Sequence, residues 1–321
     1  MERRICVVNE FITPAHREKI TAAAARLGFT VDFYHDVDAA QGHVGDCEVL
    51  YGYRAELIPQ AKALRWHCCA NAGVEPFLQP GLFCNEDCLL TNSAGAYGVT
   101  ISEHILMVTL MLLRRMPEYS AITARRSWQG DLAVRSVLGS RVTILGTGDI
   151  GSNTARRMRA LLPACVTGVN RSGKSAETAF DEVVDQSRLE EVLPRTDILV
   201  LCMPATAETV GILSRARIAL LPESAIVVNV GRGSAIDQEA LLEALNGEKL
   251  AGAALDVMTP EPLPQDHALW SAKNCILTPH VSGNMTLGWT CDKNVDMFLE
   301  DLEHYAAGRP LRHLVDRALG Y

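Results

Sequence analysis

Arg141-Val-Thr-Ile-Leu145-Gly146-Thr-Gly148-Asp149-Ile150-Gly151 is the stretch whose reading decides the fold. A strand-like run, 141–145, leads at once into G-x-G-x-x-G, and a helical stretch, 152–162, follows. In that context each glycine has a job: the first makes a tight turn, the second lets backbone approach a pyrophosphate, the third packs helix on strand. The helix N-terminus then offers unpaired N–H groups to an anion. Gly146, Gly148, Asp149, Ile150 and Gly151 are therefore candidate cofactor-binding residues. Strand-like segments recur at 164–169, 198–203, 225–230, 251–256 and 275–278, mostly divided by helical stretches. Six such segments are the count of a complete dinucleotide-binding sheet.

Upstream of that unit, short β-like runs at 5–9, 30–34, 49–51 and 64–69 alternate with helical stretches, the first of them 15–27. Alternation of this kind argues for a second parallel sheet. The segment 101–116 carries Ile101, Ile105, Val108 and Leu112 near a 3.6 period, which predicts a core helix. Glu103 near its start and Arg114-Arg115 at its end suit the helix dipole. A further helix is expected over 287–304. The fold class is α/β.

Composition narrows the function. With 321 residues, a prior of about two domains holds at roughly 150 residues each. Lys and Arg number 30 against 38 Asp and Glu, a net charge of −8. An acidic chain without a basic block is a poor binder of phosphate backbones, so nucleic acid is not an expected partner. The longest apolar stretch is about ten residues where a bilayer span needs about 20, so no membrane is expected either. The N-terminus lacks the apolar core of a signal peptide. The 10 cysteines are scattered without paired CxxC spacing, so neither a disulfide scaffold nor a metal site is read. Reduced thiols in a cytoplasmic enzyme are the simplest expectation.

Three polar groups stand just past three strand-like segments: Arg232 in Asn229-Val-Gly-Arg232-Gly, Glu261 in Pro260-Glu261-Pro262, and His280 in Thr278-Pro-His280-Val. In open α/β sheets ligands bind beyond the carboxyl ends of strands. Hydride addition to a 2-keto acid needs a proton donor at the carbonyl oxygen and a cation for the carboxylate. His280 suits the first role because its pKa lies near working pH. Glu261 would hold it and favour imidazolium, and Arg232 would grip the carboxylate with its fork. Taken singly, each has an ordinary structural explanation: a satisfied histidine, a surface ion pair, an exposed loop acid. Together, beside a phosphate loop, they read as catalytic. Tyr51, Tyr53, Tyr97 and Trp289 are either neighbours of the substrate or packing residues.

In motif and motif order the chain closely resembles the D-isomer-specific 2-hydroxyacid dehydrogenases. The pieces are Gly146-Thr-Gly-Asp-Ile-Gly151, Leu201-Cys-Met-Pro204-Ala-Thr206, Asn229-Val-Gly-Arg232-Gly-Ser234, Ala254-Leu-Asp256-Val, Pro260-Glu261-Pro262-Leu and Leu277-Thr-Pro-His280-Val. The resemblance implies a flavodoxin-like substrate domain in two parts, 1–98 and 284–321, with a dinucleotide-binding domain, 99–283, inserted. It implies a homodimer. It implies that Gly73 and Val74, in Asn71-Ala-Gly73-Val74, hold the substrate carboxylate through backbone N–H groups, with Asn71 and Glu75 as departures beside them. It further implies that Pro204, Thr209, Val230, Gly231, Asp256 and Gly283 lie along the cofactor, and that a 2-keto acid is reduced to the D alcohol.

Cofactor choice is read at the end of the second strand, Thr167-Gly-Val-Asn170-Arg171-Ser172-Gly-Lys174. An NAD enzyme usually places an acid here, on the ribose hydroxyls. Here stand Asn170, Arg171 and Ser172, with no acid before Glu177. Arg171 and Ser172, with Lys174 near, suit a 2′-phosphate, so NADPH is the expected preference and NAD remains possible. The sequence leaves open formate or 3-phosphoglycerate oxidation, and a dinucleotide-sensing protein of corepressor type with little turnover. It does not name the 2-keto acid.

Overall fold

The chain's strands sort into two all-parallel sheets, seen in a computed structural model that describes residues 3–321. The chain divides into two units. One takes it up to Tyr97 and again from Asn284; the other is Gly98–Gly283.

In the first unit the strands are β1 (Arg3–Val8), β2 (Phe29–Tyr34), β3 (Val49–Gly52), β4 (Trp66–Cys69) and β5 (Leu89–Thr91). Their order is β2-β1-β3-β4-β5, the doubly wound order of flavodoxin-like sheets. Successive side chains of β1 enter different cores. Ile5 and Val7 pack with Ile20, Trp66 and Phe298, while Cys6 and Val8 pack with Leu57, Ile58 and Phe77. A sheet buried on both faces reads as a continuous apolar run rather than an alternation. The helices Pro14–Arg26 and Gly288–Ala306 cover one face through Ile20, Ala24, Val295, Phe298 and Leu302. The first begins with Pro14 behind a capping box: Thr13 Oγ1 accepts from His16 N–H, and His16 Nδ1 accepts from Thr13 N–H, each at 3.3 Å.

The second unit holds β6 (Arg141–Leu145), β7 (Cys165–Asn170), β8 (Glu182–Asp185), β9 (Ile198–Leu201), β10 (Ile226–Asn229), β11 (Gly252–Leu255) and β12 (Cys275–Leu277). The order is β12-β11-β10-β9-β6-β7-β8. The chain runs outward from β6 through β7 and β8, then returns to β9 on the other side of β6. That reversal makes the β6/β9 crevice the switch point where ligands bind in such sheets. The expected count of six strands was one short. β8 was missed because its two valines lie between acids, and as an edge strand it pairs only with β7, Thr167 opposite Glu182 and Asn170 opposite Asp185. β5, three residues long, was missed in the first unit.

The helix expected at 101–116 runs Gly98–Leu113 and buries Ile101, Ile105, Val108 and Leu112 as the periodicity requires. Its ends differ from the expectation. Glu103 lies beyond the first turn, and Arg114-Arg115 lie past the last. Arg115 adopts a left-handed φ of 58° and starts a second helix, Met116–Ala124. Among the described residues no helix is long and apolar enough to cross a membrane. All ten cysteines are free.

Candidate active site

The phosphate loop follows β6 as its spacing requires. Gly146 turns at φ +100°, and a Cβ there would meet the Cys202 carbonyl at 3.0 Å. A Cβ on Gly151 would lie 1.9 Å from the Gly146 carbonyl, so helix Asp149–Arg159 can approach the turn only without one. Gly148 is the N-cap of that helix, and nothing stands within 4 Å of where its Cβ would be. The first helical bond runs from Ser152 N–H to the Gly148 carbonyl at 2.8 Å. The N–H groups ahead of it emerge at the helix end beside this open space, a cradle suited to a phosphate. The Asp149 carboxylate accepts from Asn153 Nδ2 at 2.9 Å, so it turns back along its own helix.

At the exit of β7 Asn170 organises a tight turn. Its Oδ1 accepts from the N–H groups of Ser172 (3.0 Å) and Gly173 (2.7 Å). Its Nδ2 donates to Thr147 Oγ1 (2.6 Å) and to the Lys174 carbonyl (2.7 Å). The turn is thereby tied to the phosphate loop. Arg171, Ser172 and Lys174 are exposed on it. Glu177, the first acid downstream, is ion-paired with Arg156, which holds its carboxyl below the usual range.

Beyond β9, Thr209 Oγ1 donates to the Pro204 carbonyl at 2.7 Å and accepts from Thr206 N–H at 2.8 Å. Beyond β10, Val230 N–H continues the ladder to Leu201 at 3.0 Å, and Gly231 N–H donates to Asn229 Oδ1 at 3.1 Å. Asn229 Nδ2 donates to the Arg232 carbonyl at 2.9 Å, closing the turn that delivers the half-buried Arg232. One Arg232 guanidinium nitrogen donates to the Gly231 carbonyl at 2.7 Å.

Beyond β11 and β12 stand the acids and the histidine. Asp256 is 1% exposed. Its Oδ1 accepts from Thr278 Oγ1 (2.6 Å) and Val281 N–H (2.9 Å), and its Oδ2 from Ser282 N–H (2.9 Å). Burial works against its charge, yet these donors hold its carboxyl below the ordinary range. Asp256 thus pins the 278–282 loop, at whose end Gly283 closes the unit. His280 sits on that loop at φ 53°, an uncommon conformation for a residue with a Cβ. Its N–H bonds to the carbonyls of Asp256 (2.9 Å) and Thr278 (3.0 Å). His280 Nδ1 meets Glu261 Oε2 at 2.8 Å, and Glu261 Oε1 accepts from Met258 N–H at 2.9 Å. With Nδ1 engaged on the carboxylate, Nε2 is the ring nitrogen left to exchange a proton. His104 Nε2, half-buried and lowered in pKa by that burial, lies 3.4 Å from Thr278 Oγ1. β10, β11 and β12 are neighbours, so Arg232, Glu261 and His280 leave adjacent strands at one edge.

In the first unit the 71–74 loop follows β4. Among the described residues no protein oxygen accepts from the Gly73 or Val74 N–H. Tyr51 and Tyr97 are packing residues: Tyr51 stacks on Phe298 at 4.4 Å and donates to Asn294, and Tyr97 donates to the Ala70 carbonyl at 2.6 Å. Tyr53 is hydrogen-bonded to Glu10, and Trp289 is exposed. Among the described residues no group of three His, Cys, Asp or Glu stands ready to hold a metal. Asn229, Gln238 and Thr278 escaped notice as scaffolding of the site. Asn229 lay inside a quoted motif, whereas Gln238 has no sequence signal.

Comparisons with known proteins show the family. The family model for the D-isomer specific 2-hydroxyacid dehydrogenase NAD-binding domain matches residues 106–282. Glyoxylate/hydroxypyruvate reductase A of Klebsiella pneumoniae (strain 342) is 31% identical over 268 residues, 82% of this chain and 83% of that protein. A crystal structure of a D-isomer specific 2-hydroxyacid dehydrogenase family protein from Aeromonas salmonicida matches with a TM-score of 0.87 and 32% identity, over 99% of this chain and 100% of that one. The NADPH-dependent glyoxylate/hydroxypyruvate reductase of Sinorhizobium meliloti, solved with NADP and sulfate, matches with a TM-score of 0.83 and 28% identity, over 99% and 100%. With the phosphate loop, the strand-end acid–histidine pair and these relatives in hand, the chain is an NAD(P)-dependent oxidoreductase that belongs to the D-isomer-specific 2-hydroxyacid dehydrogenase family.

Proposed function

We propose that the protein reduces a short 2-keto acid to the D-2-hydroxy acid with NADPH as preferred reductant, NAD serving less well. The observation that carries this reading is the 2.8 Å contact of His280 Nδ1 with Glu261 at the edge that also bears the phosphate cradle. A nicotinamide, when bound, would supply the hydride. His280 Nε2–H gives its proton to the carbonyl oxygen, and in oxidation Nε2 takes it back. Glu261 orients the ring through its contact with Nδ1. Arg232 holds the substrate carboxylate; for Gly73 and Val74 the family resemblance supplies a carboxylate-holding role through their backbone N–H groups.

The N–H groups of Asp149, Ile150 and Gly151 receive the cofactor pyrophosphate, with Gly146 and Gly148 making room. Arg171 and Ser172 take the 2′-phosphate, in a turn shaped by Asn170. Pro204, Thr209, Val230, Gly231, Asp256 and Gly283 line the rest of the cofactor's path. Glyoxylate and hydroxypyruvate are the substrates we put first, since relatives carry those names. We place the protein in the cytoplasm as a homodimer, on its free thiols and on the family resemblance.

The test is a reductase screen. Glyoxylate, hydroxypyruvate, pyruvate and bulkier keto acids are each offered with NADPH and NADH, and product chirality is determined. Turnover of a small keto acid to the D alcohol, faster with NADPH, is expected. Cofactor binding without substrate-dependent oxidation of NADPH would leave a binding protein instead.

A further inference from the structure

Glu261 stands on an exposed stretch. Thr259, Pro260, Glu261 and Pro262 are all solvent-facing, whereas the chain up to Met258 is buried. The bond from Met258 N–H to Glu261 closes the stretch on itself but ties it to nothing else. Besides the His280 contact and the buried Leu263 that follows, Gln238 ties it from outside. Its Oε1 accepts from Thr259 N–H at 3.1 Å, and its Nε2 donates to the Thr259 carbonyl at 2.9 Å. One side-chain amide thus grips a residue by both backbone groups, two positions before Glu261. His267 Nε2 lies 3.2 Å behind the amide nitrogen.

Gln238 is itself firmly based. It is the first residue of helix Gln238–Asn246, whose N-cap Asp237 accepts from Ala240 N–H at 2.9 Å. Ala240, Leu241 and Leu245 of that helix are buried in the core. A two-point contact to such a base fixes direction as well as distance, and a water in its place would fix neither. The amide does this without adding a charge beside Glu261.

We propose that Gln238 is a positioning residue for proton transfer, acting through Glu261: by clasping Thr259 it sets the reach of the carboxylate to His280. The inference rests on the His280–Glu261 reading above. The titratable and charged groups around the pair are Asp256 beneath the 278–282 loop, Arg232 at the next strand end, His104 against Thr278 and His267 behind Gln238. Gln238→Leu removes none of them, so a change in pH profile reports geometry.

The experiment is a double-mutant cycle. Wild type, Q238L, E261Q and the double variant are assayed for glyoxylate or hydroxypyruvate reduction across pH, with NADPH Kd and thermal midpoint measured alongside. E261Q is expected to move the alkaline limb of kcat down, since it removes the negative charge facing Nδ1. Q238L is expected to lower kcat roughly tenfold and to move the limb the same way, with NADPH Kd unchanged. In the E261Q background Q238L should add little, because the group it acts through is gone. Equal fold losses in both backgrounds, or a lower kcat with an unmoved limb, would reduce Gln238 to a fold contact and overturn the proposal. An unmoved limb in E261Q would overturn the acid–base pair itself; a moved limb in E261Q with an unmoved one in Q238L would overturn this inference alone. If Q238L does not fold, Q238N, which keeps the amide but falls short of Thr259, carries the same expectations.

Discussion

The two units share a plan, a parallel sheet buried on both faces, but present different chemistry where their strands end. In the seven-stranded unit the carboxyl edge carries side chains: Arg232, Asp256, Glu261 and His280 leave three adjacent strands. In the five-stranded unit the exit of β4 presents backbone, the N–H groups of Gly73 and Val74. Two buried groups, one from each unit, make a second contrast. In the larger unit the buried Asp256 has three donors converging on its carboxylate. The smaller unit buries Asp301, which accepts from Arg312 N–H at 2.6 Å and meets His313 Nδ1 at 2.9 Å, and also His67, which bonds through Nδ1 to the Leu50 carbonyl at 3.1 Å and whose Nε2 has no partner among the described residues. Asp256, at a strand exit, has donors enough to keep a charge inside; His67, in a strand interior without them, stays neutral.

If this contrast is right, single changes in the larger unit alter rate and a change at His67 alters acid stability. The largest expected effect is at the proton donor. His280→Ala should fold and bind NADPH but lose about 10²–10⁴ in kcat. Near-normal turnover would remove His280 from the chemistry. Next comes the exit of β7. Asn170→Asp/Arg171→Ala should lower kcat/KM with NADPH roughly 10- to 100-fold, the worth of a charge-assisted hydrogen bond, without a matching loss with NADH. A wild type that prefers NADH would contradict the cationic reading of that turn. Arg232→Lys comes third: it keeps the charge and loses the fork, so KM for the keto acid and kcat should both worsen, roughly tenfold in their ratio, with cofactor Kd unchanged. Unaltered keto-acid kinetics would take Arg232 out of the site.

The smallest effect on rate, and the sharpest on the comparison, is His67→Phe. Burial pushes His67 down from 6.5 to about 3. Below pH 6.5 the unfolded chain therefore takes up a proton that the folded one refuses. The contribution to stability is whole above that pH and drains away as pH falls toward about 3. Chemical denaturation of wild type should show this decline. The Phe variant should lose that part of the slope while keeping its keto-acid kinetics at neutral pH. An unchanged slope would mean that His67 is not what acid attacks.

Much of the molecule was legible because its signals were local. The strand–glycine–helix run at 141–151 carried the larger sheet, and the residues past β10, β11 and β12 carried the candidate acid, base and cation. What escaped was set by context. Glu182–Asp185 needs β7 beside it to be a strand, since two valines between acids carry no period. Tyr51 and Tyr97 look like pocket aromatics until Phe298, Asn294 and the Ala70 carbonyl arrive from distant parts of the chain. Asp256 was expected along the cofactor by resemblance, and its work on the 278–282 loop is visible only once those N–H groups are placed. Gln238 is a surface-type residue at a helix start, and 21 residues separate it from the peptide it clasps.

Asn170 has a consequence for how cofactor choice is inherited. Its amide joins the turn bearing Arg171 to Thr147 of the phosphate loop, so the two places suited to cofactor phosphates are mechanically one piece. An Asp at 170 keeps the acceptor for Ser172 and Gly173 but points an oxygen at the Lys174 carbonyl, where a donor stood. A lineage or a designer moving this scaffold toward NADH therefore faces a block of coupled positions, 147, 170, 171 and 174. The intermediate with 170 changed alone bears a damaged turn before it gains a new preference.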